Sequence, residues 1–171
     1  MEWLRAGKEL GKPMIEYLED LIKEELALNH TLHISVGTDS QRTGSRRRYK
    51  FATVILIHVK EDLGGGVIVG RGGKLLSSVY FINTYTSNKE GVNERMLMEV
   101  SKSIEVAYQI AELLDSYGIK LEIHADINPD PKWESNKALK EAVGYILGMG
   151  YDFKIKPFST AASYCGDHFA H

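Results

Sequence analysis

The sequence predicts one α/β domain on a mixed five-stranded sheet, three antiparallel strands followed by two parallel ones, flanked by helices and preceded by an extra N-terminal helix. Three observations carry this prediction. Three extended, β-branched segments follow one another between Leu32 and Asn83 with no helix between them. From Asn88 onward, helical periodicity alternates with short apolar strands, the pattern of right-handed crossovers onto a parallel neighbour. The 171 residues suffice for one real core and are too few for two full-sized domains.

Each element has its own signal. Met14, Leu18, Leu21, Ile22 and Leu26 fall on one helix face, and Pro13 suits a first helical turn. This helix is expected to pack on the outside of the domain. Leu32, Ile34 and Val36 alternate with His33 and Ser35, a strand that runs into Gly37-Thr38-Asp39-Ser40-Gln41. Tyr49 to Val59 is too apolar for an exposed edge, and Glu61 to Gly66 breaks it. The third strand has an irregular start, because Gly70-Arg71-Gly72-Gly73 reads as a turn between Val67–Val69 and Ser78–Asn83. A long helix spans about Asn88 to Ser116 and stops at Gly118; Leu121–Ile123 is a strand. A helix from about Trp133 to Leu147, a strand at Tyr151–Ile155 and a short helix within Ser159–Phe169 complete the order.

Composition narrows the function classes. With a net charge of −2, the chain lacks the overall basic charge of a protein that coats nucleic acid, so a polyanion site must be local. The one dense basic stretch is Arg42 to Lys50, with Arg46, Arg47 and Arg48; it is either a solvated hairpin end or a phosphate contact made by Arg42, Arg46, Arg47, Arg48 and Lys50. The single cysteine, Cys165, cannot form an internal disulfide, and acids interrupt the N-terminal stretch where an export signal would be apolar. The longest strongly apolar run, Phe51–Val59, is too short to cross a bilayer as a helix. These features predict a soluble cytoplasmic protein with no membrane partner.

Three acids stand where chemistry is expected. Asp39 follows the first strand of the sheet and Asp126 the fourth, and the carboxyl ends of neighbouring parallel strands form the usual ligand crevice of an open α/β sheet. Either aspartate alone could be a turn residue, since Asp is frequent where a strand ends. On the long helix, Val92, Met96, Ser103, Ala107, Ile110 and Leu114 make an apolar stripe, and Glu99 lies within it while Glu94, Glu105 and Glu112 point away. A carboxylate on a buried face needs a cation or a donor, which a lysine, a backbone group or a metal shared with the aspartates would supply. Asp167, near the C-terminus, is a fourth candidate, with fraying as its alternative. Converging carboxylates without Cys or an obligatory His suit a hard ion, Mg²⁺ or Mn²⁺. Two such ions roughly 4 Å apart hydrolyse phosphodiesters by activating water on one side and stabilising the leaving oxygen on the other.

Val36-Gly37-Thr38-Asp39-Ser40-Gln41, Glu99 in a long helix, His124-Ala125-Asp126-Ile127 and Lys154-Ile155-Lys156-Pro157 together resemble the YkuK-type ribonuclease H-like family, over about residues 30 to 169. The resemblance implies a ribonuclease H-like fold for residues 31–171, with 1–30 as an N-terminal helical extension. It also implies that Asp39, Glu99, Asp126 and Asp167 occupy the places of the acids that hold two divalent ions in the wider superfamily. Two features depart from that pattern, a short helix around Asp167 and an unfamiliar loop at Asn128–Trp133. Three functions are compatible: a divalent-metal nuclease acting on RNA, RNA/DNA hybrid or structured DNA, a nucleic-acid-binding module without chemistry, and a metal-stabilised scaffold.

Overall fold

The computed structural model of the chain describes residues 1–44, 48–83, 91–130, 132, 142–144, 146–148 and 150–170, and the side chains of all these except 91–93. Arg46, Arg47, His171 and most of the expected 133–147 helix lie outside the described residues. The strands are β1 (Leu4–Arg5), β2 (Lys8–Glu9), β3 (His30–Arg42), β4 (Arg48–Asp62), β5 (Ile68–Asn83), β6 (Leu121–Ala125) and β7 (Asp152–Lys154). The helices include α1 (Met14–Ala27), α2 (Gly91–Ser116) and, at the C-terminus, a π-helix at Ala161–Gly166 that runs into an α-turn at Asp167–Ala170. Residues 142–144 and 146–148 are helical as well.

All described strands form one sheet in the order β2-β1-β5-β4-β3-β6-β7. Its centre is the predicted arrangement: β3, β4 and β5 are antiparallel neighbours, β6 lies parallel to β3, and β7 lies parallel to β6. The strand count corrects from five to seven, because β1 and β2 make a small hairpin on the β5 edge through Leu4 opposite Ser77. Gly70 to Gly73 also differ from expectation. They belong to β5 and pair with β4, and a register shift between Val59 and Lys60 absorbs the irregularity. Gly72 sits at φ +102, a conformation in which its missing side chain permits the strand to continue.

The two faces of the sheet are covered unequally. Strand alternation puts Ile34, Val36, Thr38 and Ser40 on one face and His33, Ser35, Gly37 and Asp39 on the other. On the first face, Leu18, Leu21 and Ile22 of α1 pack with Ile34, Val36, Ile55 and Ile57 of the sheet and Val106, Ile110 and Leu114 of α2. Each fully buried Leu or Ile there contributes about 1.5–3 kcal/mol. α1 is thus integral to the main core, and its buried Glu25 pairs with Lys74 and with His30 Nδ1 at 2.7 Å. Met96, Val100, Ile104 and Ala107 of α2 continue the core onto Ile123 and Ala125 of β6. Among the described residues, the second face carries a small cluster, Val54, Leu56 and Ala161, beneath the C-terminal helical segment.

α2 ends as its glycine predicts. Gly118 adopts φ +64, its N–H reaches Asp115 O, and the N–H of Ile119 reaches Leu114 O at 2.9 Å. That pair of bonds is the Schellman closure, which satisfies carbonyls the helix leaves open.

Candidate active site

β3 and β6 set the geometry. Their parallel register ends at Thr38 opposite Ala125, so Asp39 is the next residue of β3 and Asp126 the first residue after β6. Asp126 leaves the sheet as expected, whereas Asp39 lies inside β3, which continues to Arg42 paired with β4. Both carboxylates belong to the face opposite α2.

The C-terminal segment reaches this face because Gly37 has no side chain. A Cβ on Gly37 would lie 2.4 Å from Ala162 N and 2.7 Å from the Ala161 carbonyl carbon. Gly166 is equally close to the site, its would-be Cβ 3.0 Å from Cβ of Asp39, and Asp167 follows it in the chain. His124 accepts the Ala161 N–H on Nδ1 at 3.1 Å, which fixes the segment to β6. Ser163 donates its hydroxyl to Asp126 Oδ1, and Lys156 Nζ stands 3.0 Å from the same oxygen.

Glu99 comes from the other face. It is 4 % exposed, accepts the Ser40 hydroxyl at 2.6 Å, and has Arg95 Nη1 at 3.6 Å, one helical turn earlier. Arg95 also donates to the Ser40 carbonyl and lies 6.0 Å from the Tyr49 ring. Below this contact, Ser103 donates to Thr38 Oγ1 at 2.9 Å, Thr38 meets Thr53 at 3.0 Å, and Thr53 meets the Tyr80 hydroxyl at 2.9 Å. This buried hydroxyl chain ties α2 to three strands and fixes the height of Glu99 against β3.

The acids sense one another. Burial raises the Asp39 carboxyl to about 6; the Ser40 backbone N–H and Arg95 lower it, and the charges of Asp126 and Asp167 raise it. Burial raises Glu99 to about 8, outweighing Arg95 and the Ser40 hydroxyl, with Asp39 and Asp126 adding to the rise. Asp39, Asp126 and Asp167 thus share one side of the sheet and Glu99 approaches from the other. Among the described residues, no three His, Cys, Asp or Glu side chains already converge as a metal-ligating group.

Of the predicted basic residues, register puts Lys50 and Arg48 on the same sheet face as Asp39, since Asp39 opposes Ala52. Phe81, opposite Lys50, lies beneath the Arg48 guanidinium at 4.1 Å. Arg42, paired with Tyr49, belongs to the α2 face. Among the described residues no helix is long and apolar enough to cross a membrane.

A protein-family model described as Ribonuclease H-like matches residues 13–171, nearly the whole chain. The chain belongs to the ribonuclease H-like family. No match was found among curated proteins or among solved structures. In this ribonuclease H-like chain, sequence reasoning missed Arg95, Ser163 and Lys156. Arg95 carried a signal, since it precedes Glu99 by four residues on the same helix. Lys156 and Ser163 carried none that spacing could reveal, because only the fold brings them to Asp126.

Proposed function

We propose that the chain is a divalent-metal-dependent nuclease of the cytoplasm, hydrolysing phosphodiester bonds of RNA, RNA/DNA hybrid or structured DNA. The observation that supports this reading is the placement of Asp39 and Asp126 one residue beyond the last β3–β6 pair, Thr38 opposite Ala125, where burial and neighbouring charge hold Asp39 above the ordinary carboxylate range. Like charges held together in a part-buried site favour a cation that neutralises them. By donor chemistry the oxygens of Asp39, Asp126 and Asp167, with Glu99 reaching in from the other side of the sheet, suit Mg²⁺ or Mn²⁺, which when bound would activate water and stabilise the leaving oxygen; the described side chains would have to draw together to hold it. Arg48 and Lys50 extend the same face with positive charge for phosphates, and Arg46, Arg47 and, from the α2 face, Arg42 complete the proposed basic contacts.

The test is cleavage of labelled RNA, hybrid, single-stranded and branched DNA in Mn²⁺ by the wild type and by Asp39→Asn. Cleavage by the wild type that vanishes in a folded Asp39→Asn protein is the expected result; a fully active mutant sinks the assignment. One observation favours a second reading, a nucleic-acid-binding module without chemistry. Asp126 already has a lysine and a serine on one oxygen, so its charge is balanced by the chain itself. Under that reading, binding survives both chelation and Asp39→Asn and weakens steeply with salt.

A further inference from the structure

Beside Asp126 lies a cavity of about 500 Å³, lined by Asn128, Pro129, Lys156, Pro157, Ser163 and Tyr164. Two of these residues are the partners of Asp126: Ser163 donates to it and Lys156 stands 3.0 Å away. The cavity is therefore separated from the Asp126 carboxylate only by side chains that contact it. Its volume falls in the roughly 300–1,000 Å³ range of small-molecule sites, which admits one nucleotide but not a stacked duplex. Its chemistry is an aromatic face, two proline rings, one cation and one carboxamide. Tyr164 is 68 % exposed, on the outer side of a helical segment that buries Ala161, Ala162 and Gly166.

We infer that this cavity seats the nucleotide next to the scissile phosphodiester, with its base stacked on Tyr164 and its phosphate on Lys156, so that the substrate is unpaired at that position. A base inside a duplex has both faces covered by its neighbours and cannot offer one to Tyr164. Lys156, 43 % exposed at its side chain, can meet a phosphate without leaving the rim of the cavity. Single-stranded RNA or DNA, or a structured nucleic acid with an unpaired nucleotide, is the class this surface selects. The link to a scissile bond rests on the nuclease reading; the seat for an unpaired base does not.

The experiment measures fluorescence anisotropy of a fluorescein-labelled short oligothymidylate and oligouridylate in chelator, against a blunt duplex of equal length, and then cleavage of the same probes in Mn²⁺. The wild type is expected to bind the single strands more tightly than the duplex. Tyr164→Ala should weaken single-strand binding roughly 5- to 100-fold, with Tyr164→Phe retaining it. Lys156→Gln should lower affinity and reduce the salt slope by about one. Because Tyr164 is exposed, melting curves of its variants should match the wild type. Unchanged binding by Tyr164→Ala, or equal wild-type affinity for the duplex, overturns the inference. If the protein cleaves while binding ignores Tyr164, the seat is wrong and the nuclease stands; Tyr164-dependent binding without cleavage leaves the seat standing and removes the nuclease.

Discussion

Gly37→Ala puts one methyl group against the segment that carries Asp167 and the serine partner of Asp126. The new Cβ would meet Ala162 N at 2.4 Å, the Ala161 carbonyl carbon at 2.7 Å and Ala162 Cα at 2.9 Å. All three atoms are backbone, so no rotamer change relieves the clash. Ordinary contact begins at 3.4 Å, which requires the π-helix to retreat by about 1 Å from β3. Overpacking of a buried site costs about 1–3 kcal/mol, and stretching the Ala161 N–H bond to His124 adds about 1 kcal/mol. Against this stands the smaller gain, roughly 0.5–1 kcal/mol, from restricting the unfolded chain. The net expectation is a loss of about 1–3.5 kcal/mol. Equilibrium urea unfolding measures it, and limited proteolysis reports whether residues 159–170 loosen first. Gly144→Ala is the control, since a Cβ on this exposed helical glycine meets nothing within 4 Å among the described residues, and the variant should be stabilised by about 0.5–1 kcal/mol. A Gly37→Ala protein as stable as the wild type, with an unchanged proteolysis pattern, would refute the claim that this glycine admits the C-terminal segment.

Three further outcomes follow from the same geometry. In chelator, Glu99 holds its proton in the folded state up to about pH 8 but loses it near 4.5 when unfolded, so stability falls as pH rises between those values, by at most about 1.4 kcal/mol per pH unit. Glu99→Gln should flatten that slope in denaturation curves collected from pH 5 to 8; an unchanged slope counts against a buried neutral Glu99. His124 has the opposite sign: burial lowers its pKa from 6.5, and protonation would turn the Nδ1 acceptor of Ala161 N–H into a donor. Stability should therefore decline below about pH 6.5, and less steeply in His124→Asn, as read by thermal melting at low pH. Phe51→Ala, at a fully buried ring stacked on Tyr80 at 5.9 Å, should cost about 3–5 kcal/mol by chemical denaturation.

The parts of the fold written in periodic sequence were the parts legible beforehand. Ile34 and Val36 announce β3, and Gly118 announces the end of α2, because alternation and a left-handed helix cap are local demands. β1 and β2 were not legible, since two residues cannot display a period and their pairing depends on the distant β5 edge. Gly70 to Gly73 misled because glycine is the default turn residue, while here the β4 partner strand and its register shift override that preference. At the candidate site, Glu99 stood out because a carboxylate within an apolar stripe is costly to bury. Its partners did not, because the Ser40 hydroxyl and the strand face it uses become defined only when α2 packs on β3.

The unequal covering of the sheet explains why the candidate site sits where it does. Two long helices seal one face with a continuous core, and that face can hold Glu99 only by enclosing it with Ser40 and Arg95. The other face is closed by a segment of little more than two turns, resting on Gly37 and pinned by His124 and Ser163. Asp39 and Asp126 thus lie at the border between the sheet and this short C-terminal segment, whose Ala161, Ala162 and Gly166 are buried against it. The same short segment carries Asp167, the Ser163 bond to Asp126 and the Tyr164 ring, so any change that lifts it alters carboxylate geometry and base seat together. Stability of residues 159–170 and function at Asp126 are for that reason one coupled quantity, and variants of Gly37 and Ser163 should shift both in the same direction.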